Sequence, residues 1–112
     1  MALTSAAITT STTLPVYTSI GGSNAITCIV ICNLFQFDAG NPANHTTNFY
    51  LWAVPGGGTP SDVNLIVNGL PITAGETLSL DQEKLVLEEG DELYATADDA
   101  STLVMTISTL AV

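Results

Sequence analysis

Positive charge is almost missing from this chain. Its 112 residues include one Lys (Lys84) and no Arg, against eleven acids, for a net charge of −10. Binding to phosphate depends on cations and on counterion release. Nucleic acid and anionic membrane are therefore not expected as partners. Charge of either sign is scarce, at 11% of residues against a usual fraction of about 25%. It is also unevenly placed. Residues 1 to 37 carry no charged side chain, whereas nine of the eleven acids fall between Glu76 and Asp99.

Other scarcities narrow the chemistry. His45 is the only histidine and lies in a Pro/Asn loop, with no Cys or carboxylate at ligand-like spacing. A zinc site needs three or four ligands, and none is evident. One His and one Lys leave few bases for a nucleophile. Paired carboxylates could serve glycoside hydrolysis, but here they crowd into turn-like segments, Glu88-Glu89, Asp91-Glu92 and Asp98-Asp99. The chain is read as non-enzymatic, with no cofactor and no metal. The same acids leave open calcium held between subunits. Gly56-Gly57-Gly58 lacks the context of a phosphate loop. The cysteines, Cys28 and Cys32, are too far apart on one strand to bridge each other, at about 13 Å. Reduced thiols suit cytosolic folding. MALTSAAITTST has neither the basic nor the apolar region of a signal peptide. The longest apolar-rich run, Ala25 to Phe37, is too short and interrupted to span a bilayer. Asn44-His45-Thr46 matches a glycosylation acceptor and is read as chance.

What is present is β-pattern. Thr, Val and Ile are abundant, helical periodicity is weak, and Gly, Pro, Asn and Asp punctuate the chain at short intervals. About eight strands are expected, at 13–20, 25–37, 47–54, 63–70, 76–80, 83–87, 91–97 and 101–112, with a hairpin around Asp98-Asp99-Ala100. This spacing predicts an all-β fold, an antiparallel β-sandwich of jelly-roll-like form, as a single domain over 12–112. Residues 1–11 are expected to be an arm that orders only against a partner.

Two strands look apolar on both faces. In 25–37, Ile26, Cys28, Val30, Cys32 and Leu34 alternate with Thr27, Ile29, Ile31, Asn33 and Phe35; in 47–54, Phe49, Leu51 and Ala53 alternate with Tyr50, Trp52 and Val54. A lone sandwich covers one face of each sheet. The second face, with the shortage of charge, points to protein contact, since interface cores are depleted in charge. Ile29, Ile31, Phe35, Tyr50 and Trp52 are the expected interface residues. A Thr-rich surface on a monomer is the plainer alternative. Tyr17, Tyr50, Trp52 and Tyr94 could instead form an aromatic platform for a sugar, although packing suits Trp52 better.

Residues 25 to 112 also resemble a group of small virion proteins of tailed bacteriophages. The resemblance rests on Val54-Pro55-Gly56 at a strand end, Ala74-Gly75-Glu76-Thr77 at a turn, the segment Leu85 to Leu93, and the apolar terminal strand Leu103 to Val112. It implies a compact β-sandwich that assembles on the particle, often as a trimer. The expected function is that of a capsid decoration or cement protein on the outer head, partnered by itself as a homotrimer and by the major capsid protein. The corresponding localisation is the virion, after synthesis in the host bacterial cytoplasm. A tail, neck or baseplate role, with tail proteins as partners, is the alternative. A carbohydrate-binding module is the alternative of another class.

Overall fold

The computed structural model of the chain describes residues 2–11, 14–81, 85–99 and 102–112. Nine strands form: β1 (Ala2–Ala7), β2 (Tyr17–Thr18), β3 (Asn24–Asn33), β4 (Thr47–Val54), β5 (Leu65–Ile72), β6 (Thr77–Leu80), β7 (Leu85–Leu87), β8 (Glu92–Ala97) and β9 (Leu103–Ala111). The only helical element among the described residues is a single 3-10 turn, Asp62–Asn64. Parts of four expected elements lie outside the described residues: Met1 of the arm, Thr13 of the strand at 13–20, Glu83 with Lys84 of that at 83–87, and Ala100 with Ser101 of the last hairpin.

The first sheet has the order β1-β9-β3-β6, with β7 also on β3; the second has the order β2-β8-β4-β5. All the strand pairings are antiparallel. The pairs β1/β9, β2/β8, β3/β6 and β4/β5 are the rungs of one long hairpin. Its two arms are wound together into two facing sheets, which is the jelly-roll arrangement. The expected all-β, jelly-roll-like sandwich is therefore what the chain adopts. Strands β6 and β7 run along β3 one after the other, against Ile29–Cys32 and Asn24–Ile26. They are two halves of one interrupted strand, so nine strands fill eight places.

The core lies between the sheets. Phe49 and Leu51 of β4, Leu93, Ala95 and Ala97 of β8, Leu103, Met105 and Ile107 of β9, and Ile26, Ile29 and Ile31 of β3 form one buried cluster. Alternation along β4, β8 and β9 produces it directly, because successive side chains point to opposite faces. Strand β3 needs one more device. Its register against β9 shifts between Ile26 and Cys28. Thr27 is the extra residue of this bulge, and its hydroxyl bonds to Ser108 O (3.1 Å) and Ser108 Oγ (2.9 Å). The bulge lets Ile26, Ile29, Ile31 and Asn33 all face inward.

Residues 2–11 and 14–18 differ from expectation. Ala2–Ala7, set apart above as an arm, pairs with β9 as an edge strand of the chain's own sheet. Ile8 then plugs the core at 1% exposure. Thr9 crosses to the second sheet, where its carbonyl accepts the N–H of Ala97 at 3.0 Å. Strand β2 lies on the same side, so residues 2–11 and 14–18 strap one flank of the sandwich shut. The expected strand at 13–20 shrinks to Tyr17–Thr18. The expected strand at 25–37 stops at Asn33, leaving Leu34 to Phe37 outside it.

Candidate functional site

The opposite flank, between β5 and β6, is open. A cleft of about 410 Å³ lies there, lined by Ile29, Leu51, Ile66, Val67, Ser79, Leu80, Asp81 and Leu85. Its walls are the edge of the core. Among the described residues no group of three or more His, Cys, Asp and Glu could hold a metal ion, and no helix is long and apolar enough to cross a membrane.

Three carboxylates organise turns. Asp91 accepts the N–H groups of Gly56 (2.9 Å) and Glu88 (3.0 Å), tying the Pro55–Gly58 loop to the turn before β8. That loop closes over Val54, which is buried outside the core cluster. Glu76 accepts the N–H of Thr73, and Asp38 accepts those of Gly40 and Asn41. Short acidic side chains suit such turns because they satisfy backbone donors locally. This gives the acid-rich third a structural role in addition to its charge.

The five residues expected to form an interface separate into three places. Ile29 (3% exposed) and Ile31 (0%) are core residues, which corrects the expectation for both. The Thr27 bulge turns them between the sheets, and the chain itself buries them. Phe35 is 38% exposed at the sandwich end, where its ring stacks on His45 at 3.9 Å between centroids, with 3° between the planes. Tyr50 and Trp52 remain together, on the outer face of the second sheet, with ring centroids 6.3 Å apart.

That outer face carries the aromatic cluster. Trp52 lies opposite Tyr94 of β8, and Tyr50 lies between Thr96 of β8 and Asn68 of β5. A Cβ built on Gly69 would stand 3.4 Å from Tyr50 Cε2, so the Tyr50 ring sits over that glycine. Gly69 has φ +71°, in the left-handed region. The Tyr94 hydroxyl donates to Glu92 Oε1 (3.3 Å), and Thr18 donates to Glu92 Oε2 (3.2 Å). Asn48 Nδ2 donates to Asp98 Oδ2 at 2.7 Å. Partial desolvation, then the carboxylate of Asp98, raises the Tyr50 phenol above its ordinary value. Desolvation, then Glu92, does the same for Tyr94. Tyr17, grouped with these residues by sequence, instead packs against the core.

The outer face of the first sheet is of a different kind. In register order it shows Leu3, Ser5 and Ala7 of β1; Val104, Thr106, Ser108 and Leu110 of β9; Cys28, Val30 and Cys32 of β3; Thr77 and Ser79 of β6; and Val86 of β7. None of these carries a charge, and none is buried. Both cysteines are free and half-buried there. Sequence reading missed this surface because it assigned the outward role on β3 to Ile29 and Ile31. The signal was nevertheless present in the Val104, Thr106, Ser108 alternation of the last strand.

No family model matches the chain, and neither a curated protein nor a solved structure does.

Proposed function

We propose that the chain is a non-enzymatic structural subunit of a tailed-phage virion: a capsid decoration protein that seats on the outer head as a symmetric oligomer, a homotrimer. The observation that carries this reading is the uncharged outer face of the first sheet. A chain of net charge −10 has many surfaces that repel a second copy, and this one does not. Four strands about 4.8 Å apart and about 30 Å long give roughly 600 Å². That is just below the ~800 Å² per partner of a standard interface.

The edge strand β1 adjoins this face. Natural edges are blocked by Lys, Pro or a bulge, and Ala2–Ala7 has none of these. A neighbour can therefore extend the sheet as well as cover it. Many identical contacts of modest size, repeated over a shell, give avidity without any single strong one. The sequence resemblance to small phage virion proteins supports the same reading.

The test is made on particles. Quantitative imaging should count hundreds of copies on the head, and hydrogen exchange of β1, β3 and β9 should be slower on the particle than in free protein. A handful of copies at the tail would move the chain to the alternative tail or baseplate role. Equal exchange in both states would remove the face from the assembly.

A further inference from the structure

Among the described residues no strand or loop is paired over the aromatic face of the second sheet, and it differs in kind from the neutral face behind it. We propose that it is a binding platform for a neutral saccharide chain, with Trp52 and Tyr50 as the stacking surface. Four observations on that face lead to this ligand class.

The first is the geometry of the rings. Tyr50 and Trp52 are neighbours on this face, with ring centroids 6.3 Å apart and ring planes within 25° of parallel, a separation comparable with the repeat of a pyranose chain. Sugar rings present C–H groups on one face, and these sit well on the electron-rich face of an aromatic ring. Tyr94, at 8% exposure, supports Trp52 from the neighbouring strand and does not itself make the contact surface.

The second is the polar rim. Asn68 stands opposite Tyr50 in register, and Asn48 lies on the same face two residues before it. Amides offer both donors and acceptors, as hydroxyl groups require, while the carboxylates of Glu92 and Asp98 accept hydroxyl protons. These carboxylates are already held, by Tyr94 and Thr18 and by Asn48, so the rim is organised before a ligand arrives. Pre-ordering of this kind reduces the entropy cost of binding.

The third is charge. The aromatic cluster has two carboxylates beside it, and the strands of this sheet contain no Lys or Arg. Sulfated, phosphorylated or uronic-acid polymers are disfavoured, as are nucleobases on a phosphate backbone. A second copy of this face is disfavoured too, because Glu92 and Asp98 would meet their own kind. The fourth is shape. The rings lie on a sheet face, which suits an extended ligand lying along the strands better than a small molecule enclosed in a pocket.

The inference stands independently of assembly through the first sheet. If both hold, the saccharide face points away from the shell, because the two faces are on opposite sides of the sandwich.

Trp52 is the only tryptophan, so emission excited beyond the absorption of tyrosine reports on this site alone. The experiment titrates the full chain with cellohexaose, xylohexaose, mannohexaose and maltohexaose, followed by fluorescence and calorimetry, with heparin and an arginine-rich peptide as counter-probes. At least one neutral hexasaccharide should shift the Trp52 emission and bind more tightly than its disaccharide. Trp52→Ala and Asn68→Ala, each checked for native circular dichroism, should weaken calorimetric binding at least tenfold. If Trp52→Ala does not fold, Tyr50→Ala and Asn68→Ala carry the test. No binding by any of the four, equal binding by the folded variants, or a response to the basic peptide or heparin alone would overturn the proposal. None of these outcomes bears on whether the protein assembles through its other face.

Discussion

Asn33 is the side chain on which the end of the sandwich depends. It is 2% exposed, and all its hydrogen-bonding capacity that matters is used. Its Nδ2 donates to the carbonyls of His45 (2.9 Å) and Ile72 (3.0 Å), and its Oδ1 accepts the N–H of Phe35 (3.0 Å). One amide thus ends β3, anchors the 38–46 loop and fixes the end of β5. Asn33→Leu leaves two carbonyls and one N–H without this partner, at about 1–3 kcal/mol for a buried group left unpaired. The expected loss is about 2–4 kcal/mol in urea unfolding; a loss below about 0.5 kcal/mol would show the clamp to be dispensable. Asn33→Asp keeps the acceptor but loses both donors, and should fare no better. The tyrosines set the alkaline limit. Tyr50 and Tyr94 hold their protons above the ordinary value when folded. Between that value and the raised one, the native state binds more protons than the unfolded state. Their contribution is therefore complete below about pH 10 and is lost as pH rises through the raised values. Urea midpoints followed from about pH 9 to about pH 11 should fall, and less steeply in Tyr94→Phe. At this scale the aromatic site was half legible. Tyr50, Trp52 and Tyr94 were grouped from the sequence, with Tyr17 wrongly among them, but Glu92 and Asp98 join them only through pairing of β4 with β8, which local pattern does not encode.

Strand β3 explains why one face was misassigned. Strict alternation through Ile26, Thr27, Cys28 and Ile29 puts Ile26 and Ile29 on opposite faces. The structure puts both inside, because Thr27 is the extra residue where the register against β9 shifts. A bulge of this kind shifts the side-chain period by one and leaves no fixed sequence mark. The apparent second apolar face of β3 was thus partly an illusion, and what truly faces outward is Cys28, Val30 and Cys32. Deletion variants separate the two accounts. Removing Thr27 leaves Ile26 inward, Cys28 outward and Ile29 inward, so the fold should survive, with its thermal midpoint lowered by the loss of the Ser108 hydrogen bonds. Removing Val30 turns one half of the strand inside out and should abolish cooperative unfolding. Comparable thermal scans for the two deletions would refute the bulge. Strand β4, whose bounds were expected as 47–54 and are Thr47–Val54, has unbroken alternation against β8, which is why it was read correctly. Strand β1 was less legible. ALTSAA is small and nearly featureless, and it becomes a strand because β9 offers it a ladder.

The charge distribution of the whole molecule decides how copies can meet. Acids cluster at turns and beside the aromatic face, while one sheet surface is neutral from Leu3 across to Ser79. Self-association through that surface brings two chains of −10 together with no ion pair to offset their mutual repulsion. Salt should therefore strengthen it, the reverse of an interface held by opposite charges. From about 0.01 M to about 0.1 M salt the Debye length contracts from about 30 Å to about 10 Å, and the distant carboxylates then cease to see one another. Light scattering across this range should show the mean mass rising with salt and with protein concentration. Val30→Glu or Thr106→Glu places a carboxylate at the centre of the face, where burial without a partner costs several kcal/mol. Each should hold the chain monomeric at every salt concentration with its thermal unfolding nearly unchanged, because both side chains already point to solvent. A wild-type chain that stays monomeric at high salt and high concentration would leave the neutral face without a second copy to cover it. Association that persists in both variants would place the contact elsewhere, with the edge of β1 as the next surface to block.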